Sequence, residues 1–162
     1  MAGEFRIWSN DIAGGRLSKT QEYNAHGCSG GNLSPQLAWA DAPAGTRSFV
    51  VTVYDPDAPT GSGFWHWVVA NLPADSQRLA GGAGSGKASL PAGSLETRTD
   101  MGVPGFVGAC PPAGERHRYQ FTVHALKVDH LDITADTSAA LVGFMTHMNS
   151  LGQASFTATY AR

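Results

Sequence analysis

Two apolar runs separated by a proline-stiffened acidic turn govern what this chain can fold into. Ser48-Phe49-Val50-Val51-Thr52-Val53-Tyr54 is β-branched and aromatic, the composition that suits a pleated, buried strand. It is stopped by Asp55-Pro56-Asp57-Ala58-Pro59. Each proline there fixes φ and withholds a donor, and pushes the preceding residue toward extended geometry. A second run, His66-Trp67-Val68-Val69-Ala70-Asn71-Leu72, follows and ends at Pro73. The turn thus holds carboxylates beside an imidazole flanked by Trp65 and Trp67, a polar site in an aromatic frame.

The remaining periodicity is also mostly of period two. Tyr119, Phe121, Val123 and Ala125 alternate with Gln120, Thr122 and His124, the signature of a half-buried strand. Ala154 to Tyr160 alternates more weakly and reads as a final strand. One helix is expected, capped by Thr137-Ser138, with Ala140, Leu141, Phe144, Met145, Met148 and Leu151 at helical spacing and Gly152 as its end. The expected fold class is mainly β, an antiparallel sandwich with a C-terminal helix and short helical turns. The 162 residues suffice for one domain with a core of its own. Residues 80–89, rich in Gly, read as a mobile loop within that domain.

Charge narrows the function classes. A net charge of −2, with Arg6, Arg16, Lys19, Arg47, Arg78, Lys87 and Arg98 scattered along the chain, argues against nucleic acid, which needs a clustered basic face. No apolar run reaches the roughly 20 residues of a membrane span. The N-terminal stretch Met1 to Arg6 lacks the apolar centre of a signal peptide, so a cytoplasmic location is the default expectation.

Two motif matches fail on context. Gly81 to Lys87 fits the start of a phosphate-binding loop, but Ala88 stands where a magnesium-holding Ser or Thr belongs. Pro91 also forbids the helix that should follow. Gly27-Cys28-Ser29-Gly30-Gly31 fits Gly-x-Ser-x-Gly, yet Asn32-Leu33-Ser34-Pro35 supplies turn chemistry instead of the helix a nucleophile elbow requires.

A second informative segment runs from Gly102 through Phe106, Gly108, Ala109, Cys110, Pro111 and Pro112 to Gly114, then Glu115-Arg116-His117-Arg118-Tyr119. Asp-Pro-Asp-Ala-Pro, then His-Trp, then a Gly-rich Cys-Pro-Pro loop, then His-Arg-Tyr resembles the phosphatidylethanolamine-binding protein (Raf kinase inhibitor-like) family. Its bacterial YbhB/YbcL-type branch is the nearer match. Gly27 to Pro35, Leu37-Ala38-Trp39, Thr60 to Gly63 and Thr159 to Arg162 support it, so the resemblance runs nearly end to end.

The resemblance implies a pocket for an anionic group such as a phosphoryl head, bounded by Asp55, His66, Gly108, Cys110, Pro111, His117 and Tyr119. Protonated imidazoles, a phenol and Gly-rich backbone N–H groups would donate to phosphate oxygens, with Asp55 orienting and charging a histidine. Asp57 is expected to accept backbone N–H bonds in its turn or to pair with Arg118. His26, His124, His130 and His147 read as surface or packing residues. Phe106, where the family commonly has an aromatic hydroxyl, would leave one rim contact missing, and Ala109, often Pro, would loosen the loop. The family further implies a non-enzymatic regulator, possible inhibition of a protein kinase or protease, and a possible homodimer. No cofactor or metal is expected, although two histidines and an aspartate can ligate non-haem iron. The alternative is a small-molecule acid–base enzyme (isomerase- or cyclase-like) with His66, His117 and Asp55 as catalytic groups. The resemblance also sets the Cys28 and Cys110 loops near one end of the fold. A bridge there would contribute about 4 kcal/mol in the chain-entropy model. Two reduced thiols are the other reading, and the one a cytosol favours.

Overall fold

A computed structural model describes residues 3–162; Met1 and Ala2, the first residues of the stretch read for a leader, lie outside them. Among the described residues eight strands and one helix follow in the order β1 Arg6–Trp8, β2 Leu37–Ala40, β3 Ser48–Asp55, β4 Phe64–Pro73, β5 Arg78–Leu79, β6 Leu95–Glu96, β7 Arg116–Leu126, α1 Ala139–Asn149 and β8 Ser150–Ala161. They form a three-stranded sheet, β1-β2-β5, and a five-stranded sheet, β6-β4-β3-β7-β8. Every pairing within the sheets is antiparallel.

The main core lies between the two sheets. Ile7, Leu37, Trp39 and Leu79 from the small sheet meet Phe49, Val51, Val53, Trp67, Val69, Phe121 and Val123 from the large one. On the other face of the large sheet, Val50, Val68, Ala70 and Leu126 pack beneath Leu131, Ala139 and Val142. Strand β3 is therefore covered on both sides, which explains why its sequence is continuously apolar where β7 alternates.

The helix forms where expected, with the Ser138 side chain accepting from the Leu141 N–H at 3.1 Å. It stops at Asn149 and passes directly into β8, so Leu151 belongs to the strand. Its inward stripe is Ala139, Val142 and Thr146. Leu141, Phe144 and Met148 face outward, half or more exposed.

Residues 80–89 are hydrogen-bonded rather than free, which corrects the mobile-loop expectation. A 3-10 turn spans Ala83–Ser85, and the amides of Gly82, Ala83, Ser85 and Lys87 donate to protein carbonyls, that of Gly84 to the Ser34 hydroxyl. Those N–H groups are spent, so the segment has no cradle to offer a phosphate. No helix of the described residues is long and apolar enough to cross a membrane.

Candidate functional site

One end of the large sheet gathers chemistry from three strands. Strand β3 ends in Asp55, β4 opens with Phe64 opposite it, and β7 runs alongside with Gln120 facing Tyr54. Antiparallel pairing thus brings the C-terminal end of β3 beside the N-terminal ends of β4 and β7. The register of β3 and β4 shifts between the pairs Val53–Trp67 and Tyr54–Trp65, leaving His66 as the extra residue of a bulge. Bulges re-aim side chains. Here the His66 ring meets Tyr119 edge-on with centroids 5.2 Å apart and Phe64 at 4.8 Å.

These residues line a cavity of about 240 Å³. Of the expected set, Asp55, His66, Gly108, Cys110, His117 and Tyr119 are brought together there. Pro111 is not among the lining residues; it is buried, and its neighbour Pro112 takes the wall position. Tyr23, His26, Ala58, Pro59, Thr60, Phe64, Met101 and Val107 complete an otherwise largely apolar wall. His26, expected as a surface or packing residue, is exposed, stacks on Tyr23 at 5.9 Å and also contributes to the wall. Phe106 lies in the core against Trp67 instead of at the rim.

The polar floor is a chain of hydrogen bonds. Asp55 Oδ1 accepts the Asp57 N–H at 2.7 Å, closing the acidic turn. Asp55 Oδ2 lies 2.7 Å from His117 Nδ1, and both side chains are almost fully buried. His117 Nε2 lies 2.7 Å from Glu115 Oε1. Burial alone would lower the His117 pKa, but Glu115 and Asp55 outweigh it and the value rises. His117 is therefore an imidazolium whose two N–H groups are both committed to carboxylates. Asp57 instead binds Arg118, accepting from Nε at 3.0 Å and from the backbone N–H at 2.8 Å through Oδ2, and from the guanidinium at 2.8 Å through Oδ1. That pairing holds the Asp57 carboxyl down at about 2.

His66 is a different kind of histidine. Its Nδ1 donates to the Val107 carbonyl at 2.7 Å, which leaves Nε2 as an acceptor. Burial lowers its pKa against the opposing pull of that carbonyl and Asp55. Burial thus favours the neutral ring, against the expectation of a protonated His66 donating to an anion. Gly108 is corrected likewise, because its N–H already donates to Asn32 Oδ1 at 2.7 Å. A Cβ at Gly108 would lie 2.3 Å from the Gln21 carbonyl oxygen, so this glycine lets two loops touch.

Tyr119 is 1% exposed, and its hydroxyl has no hydrogen-bond partner among the described residues. Burial, then the charges of Asp55 and Asp57, push its pKa far up, so it stays a neutral phenol. A buried polar group without a partner costs about 1–3 kcal/mol, and such an orphan needs a reason.

The cavity wall is fastened covalently. Cys28 and Cys110 form a disulfide, Cα atoms 6.0 Å apart and 82 residues apart in sequence, which overturns the reduced-thiol reading. Arg162 reinforces it, donating to the carbonyls of Pro111 and Gly27 at 3.0 Å each. Glu22 ties the same loop to β8: its carboxylate accepts from Lys19, the Tyr160 hydroxyl and the Ser29 N–H. Burial opposes its charge, yet those bonds hold its pKa at about 2. Ser29 sits in this turn, with no strand before it and no helix after it. Among the described residues no cluster of three or more His, Cys, Asp or Glu is arranged to hold a metal ion.

Comparisons with known proteins bear on the family and the fold. The family model for phosphatidylethanolamine-binding protein matches residues 9–161. The UPF0098 protein YbhB of Escherichia coli is 55% identical over 157 residues, covering 96% of this chain and 99% of its own. The crystal structure of Escherichia coli YbcL superimposes with a TM-score of 0.94 at 47% identity, covering 99% of both chains. A Chlamydia trachomatis homologue of phosphatidylethanolamine-binding protein gives 0.82 at 26% identity, covering 98% of this chain and 97% of its own.

Proposed function

This chain belongs to the phosphatidylethanolamine-binding protein family, and from that premise we propose a non-enzymatic binding protein whose pocket takes the protonated phosphoryl head of a small ligand. The observation that carries the reading is the orphaned hydroxyl of Tyr119 in a cavity shared with the uncommitted Nε2 of His66. One is a donor without an acceptor and the other an acceptor without a donor. A phosphoryl group keeping one proton supplies both partners: its oxygens accept from Tyr119, and its P–OH donates to His66. A fully ionised phosphoryl group has no proton for His66. The second ionisation of a phosphate ester lies near pH 6, so binding strengthens as pH falls through that value, through the ligand rather than the histidine.

The test is an NMR titration with phosphoethanolamine and with inorganic phosphate, repeated on His66→Ala. Shifts clustered at Asp55, His66, Gly108 and His117 that vanish in the variant support the pocket. No shifts at millimolar ligand remove it. Modulation of a protein kinase or protease, and a homodimeric state, extend this reading on family grounds alone.

The acid–base alternative has one observation in its favour, the neutral His66 with a depressed pKa and an open Nε2. His117 has no free nitrogen for proton transfer. Saturable turnover of a small substrate that disappears in His66→Ala would bring that alternative forward.

A further inference from the structure

The charge around His117 is not balanced, and the excess traces to one side chain behind the cavity floor. Asp55 and Glu115 contribute two carboxylates against the single imidazolium of His117. The neighbouring Asp57 and Arg118 cancel each other. His66 and Tyr119 are neutral, and Tyr160, the register partner of His117 on β8, is spent on Glu22. Among Asp55, Glu115, His117, Asp57 and Arg118 the net charge is −1, and zero without Glu115; Asp100, whose charge reaches His66, and His26 in the cavity wall stand outside this group.

Glu115 is placed by the backbone. Its N–H donates to Pro112 at 3.0 Å, closing a tight turn, in which Gly114 takes a φ of +85° that glycine tolerates. The Gly114 N–H donates to the Arg162 carbonyl, and the Arg162 N–H returns to the Glu115 carbonyl. The side chain then reaches His117 Nε2 while staying 48% exposed. It is not among the residues lining the cavity. It acts from behind, through the histidine.

We propose that Glu115 is a positioning residue that sets the charge preference of the pocket, by occupying the second N–H of His117 and so disfavouring a phosphate dianion against a monoanionic or neutral phosphoryl head. The inference rests on the reading of the cavity as a phosphoryl site. Unit charges at a partly screened site repel an anion more strongly the more charge it carries. Their removal therefore matters most for the ligand carrying most charge. Asp55 could not serve this purpose, because its burial and its bond to the Asp57 turn make it part of the fold.

The experiment measures inorganic phosphate affinity calorimetrically at pH 5.5 and pH 8 for the natural chain, Glu115→Gln and Glu115→Ala, and follows the His117 ring by NMR. Glu115→Gln keeps an acceptor for Nε2–H and removes only charge. Expected at pH 8, with the ring NMR showing His117 still charged in Glu115→Gln, is a gain of about five- to tenfold, with a smaller gain at pH 5.5 and a lower His117 titration midpoint. Glu115→Ala gives the same ordering. Equal affinities at pH 8, or a larger gain at pH 5.5, overturn the inference while leaving the pocket standing. Phosphate binding to none of the three proteins overturns both.

Discussion

Tyr119 offers a way to separate what a residue does for the fold from what it does for a ligand. Its ring is core, packed between His66 and the sheet, while its hydroxyl is buried without a partner. Tyr119→Phe removes an unsatisfied group and keeps the shape, so stability stays level or rises by up to about 1 kcal/mol. Phosphate affinity falls about tenfold, the worth of one hydrogen bond to a charged acceptor. Urea melts and the NMR titration read the two effects independently. A variant that binds like the natural chain would show that the hydroxyl has no ligand. The residue types of this site were legible in the sequence because Asp55, His66, His117 and Tyr119 each border a proline- or glycine-rich turn. Their charge states were not. His66 and His117 look alike as letters, and only burial beside a carbonyl or between two carboxylates makes one neutral and the other charged. Tyr23 escaped notice, and His26 was read as a surface or packing residue only, because both sit in a non-periodic loop, His26 at a left-handed φ of 55°.

At the scale of elements, the long strands β3, β4, β7 and β8 were legible, while the short β1, β2, β5 and β6 and the irregularities were not. The bulge at His66 has no composition of its own, since it is a mismatch of register between β3 and β4. The helix shows the opposite failure. Its apolar letters outnumber the positions that can be buried, so periodicity located α1 without saying which face turns inward. Packing against Val50, Val68 and Leu126 decided for Ala139, Val142 and Thr146. Val142→Ala is therefore expected to cost about 1 kcal/mol or more, as loss of buried methyl groups does. Phe144→Ala, a larger truncation at a position 61% exposed, should cost less than about 0.5 kcal/mol. Chemical denaturation of the two variants checks the ordering. A reversed ordering would mean that the outer face of α1 is covered in solution.

The molecule as a whole is a sandwich whose cavity-bearing end is laced by a disulfide, an arginine clamp and two buried carboxylate networks. The bridge stands in tension with a cytoplasmic location, since reducing compartments disfavour such bonds. The same end of the fold dictates how stability depends on pH. His117 has a folded pKa above the ordinary 6.5. Its contribution is fully present below 6.5 and is lost as pH rises through the raised value. His66, and His124 at about 4, have folded values below 6.5. Their neutral burial opposes protonation, so stability drops as pH falls below 6.5. Asp57 and Glu22, held at about 2, add a further loss below the usual carboxylate range, as pH drops toward 2. The expected profile is a maximum near pH 6.5 with an acid limb steeper than the alkaline one: His66, His124, Asp57 and Glu22 act on the first, against the raised Glu96, and over pH 6.5 to 9 His117 acts on the second. Urea midpoints from pH 3 to 9 trace it. His117→Gln should lower the maximum and flatten the alkaline limb while leaving the acid limb in place. A natural chain already flat from pH 6.5 to 9 would mean that His117 is not held charged between Asp55 and Glu115.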